Sequence, residues 1–204
     1  MKKLFLASVV ANTIEKLIEI LPKSPEELTV AFVPTAADPY EDKWFIGEDY
    51  NKLKEKGFNV KNIDIKGKTG QKLLDELKDV NIIFVAGGNT FYLLEKARES
   101  GFDKVAKELT ENGVIYVGSS AGATLAGPNI EPVKPFDDSS KARSLKSFDG
   151  LNLVDFIVLP HFTDGNKEDY KNIIEEYKNR YKLIPITDNQ AVVVEDNNYK
   201  IVEK

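Results

Sequence analysis

Val114-Ile115-Tyr116-Val117-Gly118-Ser119-Ser120-Ala121-Gly122-Ala123-Thr124-Leu125 is the stretch from which the fold can be read. Four apolar residues run without polar alternation. Such a run suits a strand buried on both faces, as in a parallel sheet covered by helices. A G-x-S-x-G pattern, Gly118 to Gly122, ends it, and small residues then open a helix. In a strand–sharp turn–helix context this pattern lifts the serine hydroxyl to the carboxyl edge of the sheet, where open α/β sheets bind ligands.

Outward from this segment the same alternation repeats. Strands are expected over residues 4–8, 29–34, 59–65, 81–86, 114–118, 156–159, 183–186, 191–195 and 199–202. Helices are expected over 13–21, 49–56, 70–78, 90–99, 104–112 and 167–181. The first of these sets Ile14, Leu17, Ile18 and Leu21 on one stripe. Gly57, Gly101 and Gly113 stand where a helix ends in a left-handed residue. The βαβα order predicts one α/β domain over residues 1–204, with a doubly wound, mostly parallel sheet. Asp196-Asn197-Asn198 is a hairpin signal, so the last two strands should pair antiparallel. The least regular stretch, residues 127–150, lies between Ser120 and the only histidine; long loops in compact domains are often functional.

Composition excludes several classes of function. The 204 residues contain no cysteine, which removes disulfides, thiol nucleophiles and thiolate metal sites. One histidine cannot build a His-rich metal site, although carboxylates remain available to Mg²⁺ or Ca²⁺. A net charge of −5 gives no general attraction to nucleic acid or anionic membrane. No run approaches the roughly 18–20 apolar residues of a membrane span. The first eleven residues resemble a short secretory signal, but Asn12 and Glu15 interrupt the apolar run early. They are read as a buried first strand of a cytoplasmic protein.

Three segments carry the chemistry. Ser120 has the nucleophile's context, and the amide of Ala121 at the following helix start could stabilise an oxyanion. The alternative is a small residue needed for tight strand–helix packing. His161, in Leu159-Pro160-His161-Phe162, follows an apolar strand and should emerge on the same rim. Alone it would be read as a surface or capping histidine; with Ser120 it is read as a base. Gly87-Gly88-Asn89-Thr90 follows another strand and opens a helix. It suits a second oxyanion amide, at Gly88, or an anion cradle, or simply a tight turn with a cap. It lacks the phosphate fingerprints. An acid must orient the imidazole. Asp137, Asp138, Asp164 and Asp188 are all candidates, and spacing does not choose among them. Lys134, Lys141, Arg143 and Lys146 form a local basic group in an acidic chain. The group suits either an anionic substrate or a solvated loop with balanced charge.

At these residues the chain resembles the peptidase E (alpha-aspartyl dipeptidase) and cyanophycinase family of serine peptidases. The resemblance is carried by Ala86-Gly87-Gly88-Asn89-Thr90-Phe91, Gly118-Ser119-Ser120-Ala121-Gly122-Ala123 and Leu159-Pro160-His161-Phe162, in that order, and by the opening Leu4-Phe5-Leu6-Ala7-Ser8. It covers nearly the whole chain. It implies a three-layer α/β fold, flavodoxin-like in its doubly wound sheet and akin to class I glutamine amidotransferases, with serine in place of their cysteine. It implies Ser120 as nucleophile, His161 as base, and Gly88 and Ala121 as oxyanion donors. Asp137 is the first choice of acid, with Asp138 its rival and Asp188 a second placement after a late strand.

The activity implied is cleavage of dipeptides with N-terminal aspartate, without a cofactor. Asn89, Thr90 and Arg143 are the expected substrate contacts, Arg143 because its planar fork suits a carboxylate. Ser119 stands where peptidase E has tryptophan, and residues 131–146 do not match; both departures bear on specificity. The expected partner is a small peptide, not nucleic acid or membrane, and monomer and homodimer both remain open. The rival readings are an esterase or amidase using the same residues, and a non-catalytic small-molecule-binding protein of the same fold. A nucleotide-binding flavodoxin-like protein is disfavoured by the missing phosphate fingerprint.

Overall fold

In the computed structural model, which describes residues 2–204, a seven-stranded sheet runs through the middle of the molecule. Its strands are β1 (Lys3–Ala7), β2 (Thr29–Val33), β3 (Asn59–Asn62), β4 (Ile82–Val85), β5 (Ile115–Ser119), β8 (Gln190–Glu195) and β9 (Asn198–Glu203), in the order β3-β2-β4-β5-β1-β8-β9. The first five are parallel; β8 and β9 are antiparallel and joined by the expected hairpin. The remaining strands, β6 (Phe156–Leu159) and β7 (Lys182–Pro185), pair with each other in a separate parallel sheet.

The three layers follow from side-chain alternation. Leu4 and Leu6 of β1, Ile83 and Val85 of β4, and Tyr116 of β5 point to one face. There they meet α3 (Gly70–Leu77), α4 (Thr90–Ser100), α5 (Phe102–Glu111), α6 (Ala121–Leu125) and α7 (Lys167–Tyr177). Phe5, Phe32, Phe84 and Val117 point to the other face, against Val10, Ile14 and Leu17 of α1 (Val10–Ile18) and Leu53 of α2 (Trp44–Glu55). Central strands are apolar throughout because both of their faces are covered. Edge strand β3 is mostly exposed and correspondingly polar.

Two helices start earlier than their apolar pattern predicts. α1 begins at Val10 and kinks at Thr13, whose φ is −111°. The Ala11 amide near its start donates to Asp49, a partner far away in sequence. α2 begins at Trp44, because Trp44 and Phe45 are turned towards the cleft described below instead of joining an apolar stripe. Gly57, Gly101 and Gly113 all have positive φ, as expected of helix-ending residues.

Residues 127–150 contain only short turns, but they are tied down. The Arg98 guanidinium donates to the Ser147 and Asp149 carbonyls, and Glu95 accepts from the Ser144 amide. No helix among the described residues is long and apolar enough to cross a membrane.

Candidate active site

The site forms where strands end. Ser8 follows β1, Gly87 and Gly88 follow β4, Ser120 follows β5, His161 follows β6 and Asp188 follows β7. All line one cleft of about 530 Å³. This is the carboxyl-edge crevice at which open α/β sheets place ligands.

Ser120 sits in a strained elbow, φ 50° and ψ −108°, a conformation that L-residues rarely adopt. Its amide donates to the Ala7 carbonyl, 2.9 Å, which anchors the elbow to β1. The glycines on either side are required by packing. A Cβ on Gly118 would lie 2.5 Å from the Gly122 backbone, and one on Gly122 would lie 2.1 Å from the Val85 carbonyl oxygen. Only with both glycines can α6 lie close enough to β4 and β5 for the turn to be this sharp.

The Ser120 Oγ is 2.8 Å from His161 Nε2. On the other side of the ring, His161 Nδ1 is 2.7 Å from Asp188 Oδ1. As a carboxylate Asp188 can only accept, so the proton sits on Nδ1 and Nε2 is left to accept from the serine hydroxyl. Ser8 completes the arrangement, although sequence reading did not single it out. Its hydroxyl, 1% exposed, donates to Asp188 Oδ1 at 2.5 Å and accepts from the His161 amide at 2.8 Å. Its oxygen also lies 3.1 Å from Nδ1. It therefore holds the carboxylate, the ring and the histidine backbone together. That backbone is itself in the left-handed region, φ 65°. The only prior signal was the position of Ser8 at the end of β1, beside the elbow.

Asp137 does not take the position expected of the acid. Its Oδ2 accepts from the Thr90 amide at 2.8 Å, at the start of α4, and it makes no bond to His161. Burial raises its pKa, an effect opposed by the Thr90 hydrogen bonds and by the nearby His161. Asp138 is an exposed turn residue whose Oδ1 accepts from the Ser140 amide; the Ser140 hydroxyl and then this amide lower its pKa. Asp164 begins a short 3₁₀ turn and is exposed.

Of the expected oxyanion donors, Gly88 lines the large cleft and Ala121 lines an adjoining pocket of about 130 Å³, both beside Ser120. Neither amide donates to an acceptor among the described residues. Gly88 has φ 136°, and a Cβ there would meet the Ala36 carbonyl oxygen at 2.2 Å, so no other residue fits.

The expected substrate contacts divide. Thr90 lines the smaller pocket. Asn89 is buried and its side chain is already used: Oδ1 caps the Tyr92 amide and Nδ2 donates to the Asp138 carbonyl. Arg143 is exposed and lines neither cavity. In this loop the basic side chains Lys134, Lys141, Arg143 and Lys146 are exposed, whereas Asp137 faces the cleft. A separate cavity of about 320 Å³, at the amino end of β1, contains none of these residues.

A family model described as "Peptidase family S51" matches residues 6–202. The chain belongs to peptidase family S51. The chain is 34% identical to an uncharacterized peptidase of Pasteurella multocida, over 99% of its own length and 97% of the relative's. It is 33% identical to one of Listeria monocytogenes, over 95% of each. Peptidase E of Escherichia coli is 32% identical over a shorter stretch, 63% of this chain and 54% of that one. Among solved structures, a Listeria monocytogenes protein named for peptidase E superposes with a TM-score of 0.92, at 32% identity, over 100% of this chain and 99% of that one. A peptidase from an acI-B1 actinobacterium shares the fold, with a TM-score of 0.70 at 18% identity. S51 membership supports a peptidase and agrees with the resemblance carried by the three motifs.

Proposed function

We propose that the protein is a serine-type peptidase that cuts small peptides through an acyl-enzyme intermediate. The observation that carries this is the hydrogen-bonded series Ser120–His161–Asp188, with 2.8 and 2.7 Å contacts, lining an open cleft. In this reading Ser120 Oγ attacks the scissile carbonyl carbon while its proton passes to His161 Nε2. The carbonyl oxygen becomes an oxyanion that accepts from the Gly88 and Ala121 amides. His161 then returns the proton to the leaving amine as the C–N bond breaks. Water, deprotonated by the same nitrogen, hydrolyses the ester and restores Ser120. Asp188 and Ser8 keep the imidazole in the Nδ1–H tautomer and stabilise the imidazolium, while Asp188 itself stays ionised.

Dipeptides with N-terminal aspartate are the substrates that the family resemblance implies. What supports them is the likeness to peptidase E. The cleft lining lends no support, because it contains no lysine or arginine. The esterase or amidase reading uses the same chemistry and differs only in the bond presented.

The test is Ser120→Ala together with a fluorophosphonate label. Loss of an attacking group costs on the order of 10⁴–10⁶ in rate. The expected result is a folded variant that is neither labelled nor active, beside a wild type labelled at Ser120. Undiminished turnover of peptides by folded Ser120→Ala would end the serine reading.

A further inference from the structure

The cleft around Ser120 holds four acidic side chains, Glu48, Asp49, Asp137 and Asp188, and no cationic residue except the histidine. Three of the four accept hydrogen bonds within the protein. Asp188 accepts from His161 and Ser8. Asp49 is 5% exposed and accepts from the Ala11 amide. Glu48 is exposed at the rim. Asp137 differs from these. It borders both the large cleft and the adjoining pocket, as do Ser120 and His161. Thr90 holds its carboxylate in place, and no lysine or arginine pairs with it.

The chemistry of a peptide says what belongs opposite such a group. The α-ammonium nitrogen of an N-terminal residue is two bonds, roughly 2.5 Å, from the carbonyl carbon that is attacked. A counter-charge for it must therefore stand near the nucleophile, and Asp137 shares both cavities with Ser120. A half-buried carboxylate and an ammonium held in a cleft attract far more strongly than they would in water.

We propose that Asp137 receives the α-ammonium of the residue whose carbonyl Ser120 attacks, so that the enzyme requires a free amino terminus and favours a neutral or basic first side chain over aspartate. This rests on the serine-peptidase reading above. The second half follows from the same lining. An N-terminal aspartate brings a carboxylate towards Asp137 and Glu48 with no cation to receive it, whereas the rings of Tyr40, Trp44, Phe45 and Phe136 offer apolar and cation–π contacts.

The experiment compares kcat/KM for Leu-Leu, N-acetyl-Leu-Leu and Asp-Leu in wild type, Asp137→Asn and Glu48→Gln, with fluorophosphonate labelling of Ser120 followed in each. The asparagine still accepts from Thr90, so the loop and α4 stay joined. In wild type, Leu-Leu should exceed its acetylated form by roughly 30-fold or more, the scale of losing a desolvated charge pair. It should exceed Asp-Leu by about 10-fold or more. In Asp137→Asn the preference for the free amine should collapse to within about threefold, mostly through KM, while the labelling rate stays within about threefold of wild type. A retained preference in Asp137→Asn, its collapse in Glu48→Gln alone, or faster cleavage of Asp-Leu than Leu-Leu would each overturn the assignment. A wild type that is not labelled at Ser120 would overturn the serine reading and this assignment together. A labelled wild type isolates the test of Asp137.

Discussion

His161 and its neighbours show how single residues divide the work. A serine hydroxyl is a weak nucleophile unless its proton has somewhere to go, and Nε2 at 2.8 Å provides that place. Nε2 is free only while Nδ1 keeps its proton, which is the task of Asp188. Asp188→Asn should therefore lower kcat by on the order of 10²–10⁴ with KM changed less than threefold, since an amide can present its NH₂ to Nδ1 and select the wrong tautomer. Ser8→Ala should cost about tenfold in kcat, because it removes the hydroxyl that orients both Asp188 and the histidine backbone. Steady-state kinetics on Leu-Leu check both. With one histidine in the chain, nitrogen NMR of the imidazole also reads the tautomer at a single site. If Asp188→Asn left kcat intact, the acid would not be Asp188.

At the scale of elements, the decisive contact is α6 against β4 and β5. The elbow exists because a five-residue helix lies almost on the strands, a closeness possible only without side chains at Gly118 and Gly122. Gly122→Ala should destabilise the fold by about 3 kcal/mol, the upper end of overpacking costs, because its Cβ meets strand backbone and not a movable side chain. Gly67→Ala is the comparison. Gly67, unlike Gly122, has positive φ, +66°, and nothing lies within 4 Å of the added carbon, so its cost should be the left-handed strain alone, about 1 kcal/mol. Urea unfolding of the two variants measures the difference; equal losses would mean that the α6–strand approach is softer than the geometry states. The same element-level view explains why the loop over residues 127–150 matters. It delivers Asp137 to the N-terminus of α4, where the helix dipole favours a carboxylate, and Glu95 and Arg98 brace it from α4 itself.

Across the whole molecule, one buried charge links the cleft to stability. Asp49 of α2 faces the start of α1 and Ser119 just before the elbow, and its pKa is pushed up to about 6, first by burial, against hydrogen bonds from Ser119 and Ala11. The folded protein thus holds this proton more tightly than the unfolded chain does. The resulting stabilisation is complete below the unfolded value of 3.8 and is lost as pH rises through about 6. A shift of this size corresponds to about 3 kcal/mol at most. Asp49→Asn, which carries no charge and can still accept from the Ala11 amide, should be more stable than wild type by about 1–3 kcal/mol at pH 8 and nearly equal to it at pH 4. Thermal or urea unfolding at the two pH values measures this. A variant less stable than wild type at pH 8 would mean that the ionised carboxylate is a net stabiliser there.

Local sequence was sufficient wherever local chemistry decides structure. The unbroken apolar runs marked the buried strands, Gly57, Gly101 and Gly113 marked helix ends, and Asp196-Asn197-Asn198 marked the final hairpin, because each depends on side-chain size, polarity or backbone freedom within a few residues. The meeting of Ser120 and His161 was legible for the same reason: each follows a buried strand, and the two strands, although in separate sheets, both end at the cleft. Which acid meets the imidazole was not legible. Asp137, Asp138 and Asp188 all follow plausible turns, and the choice rests on the pairing of β6 with β7, which brings residue 188 beside residue 161. Ser8, 153 positions from His161, was hidden for the same cause. So was the lack of cationic residues in the cleft, since the loop that carries Arg143 turns its basic side chains outward. Contacts between residues distant in sequence are settled by strand order and loop packing, and these are properties of the folded chain as a whole.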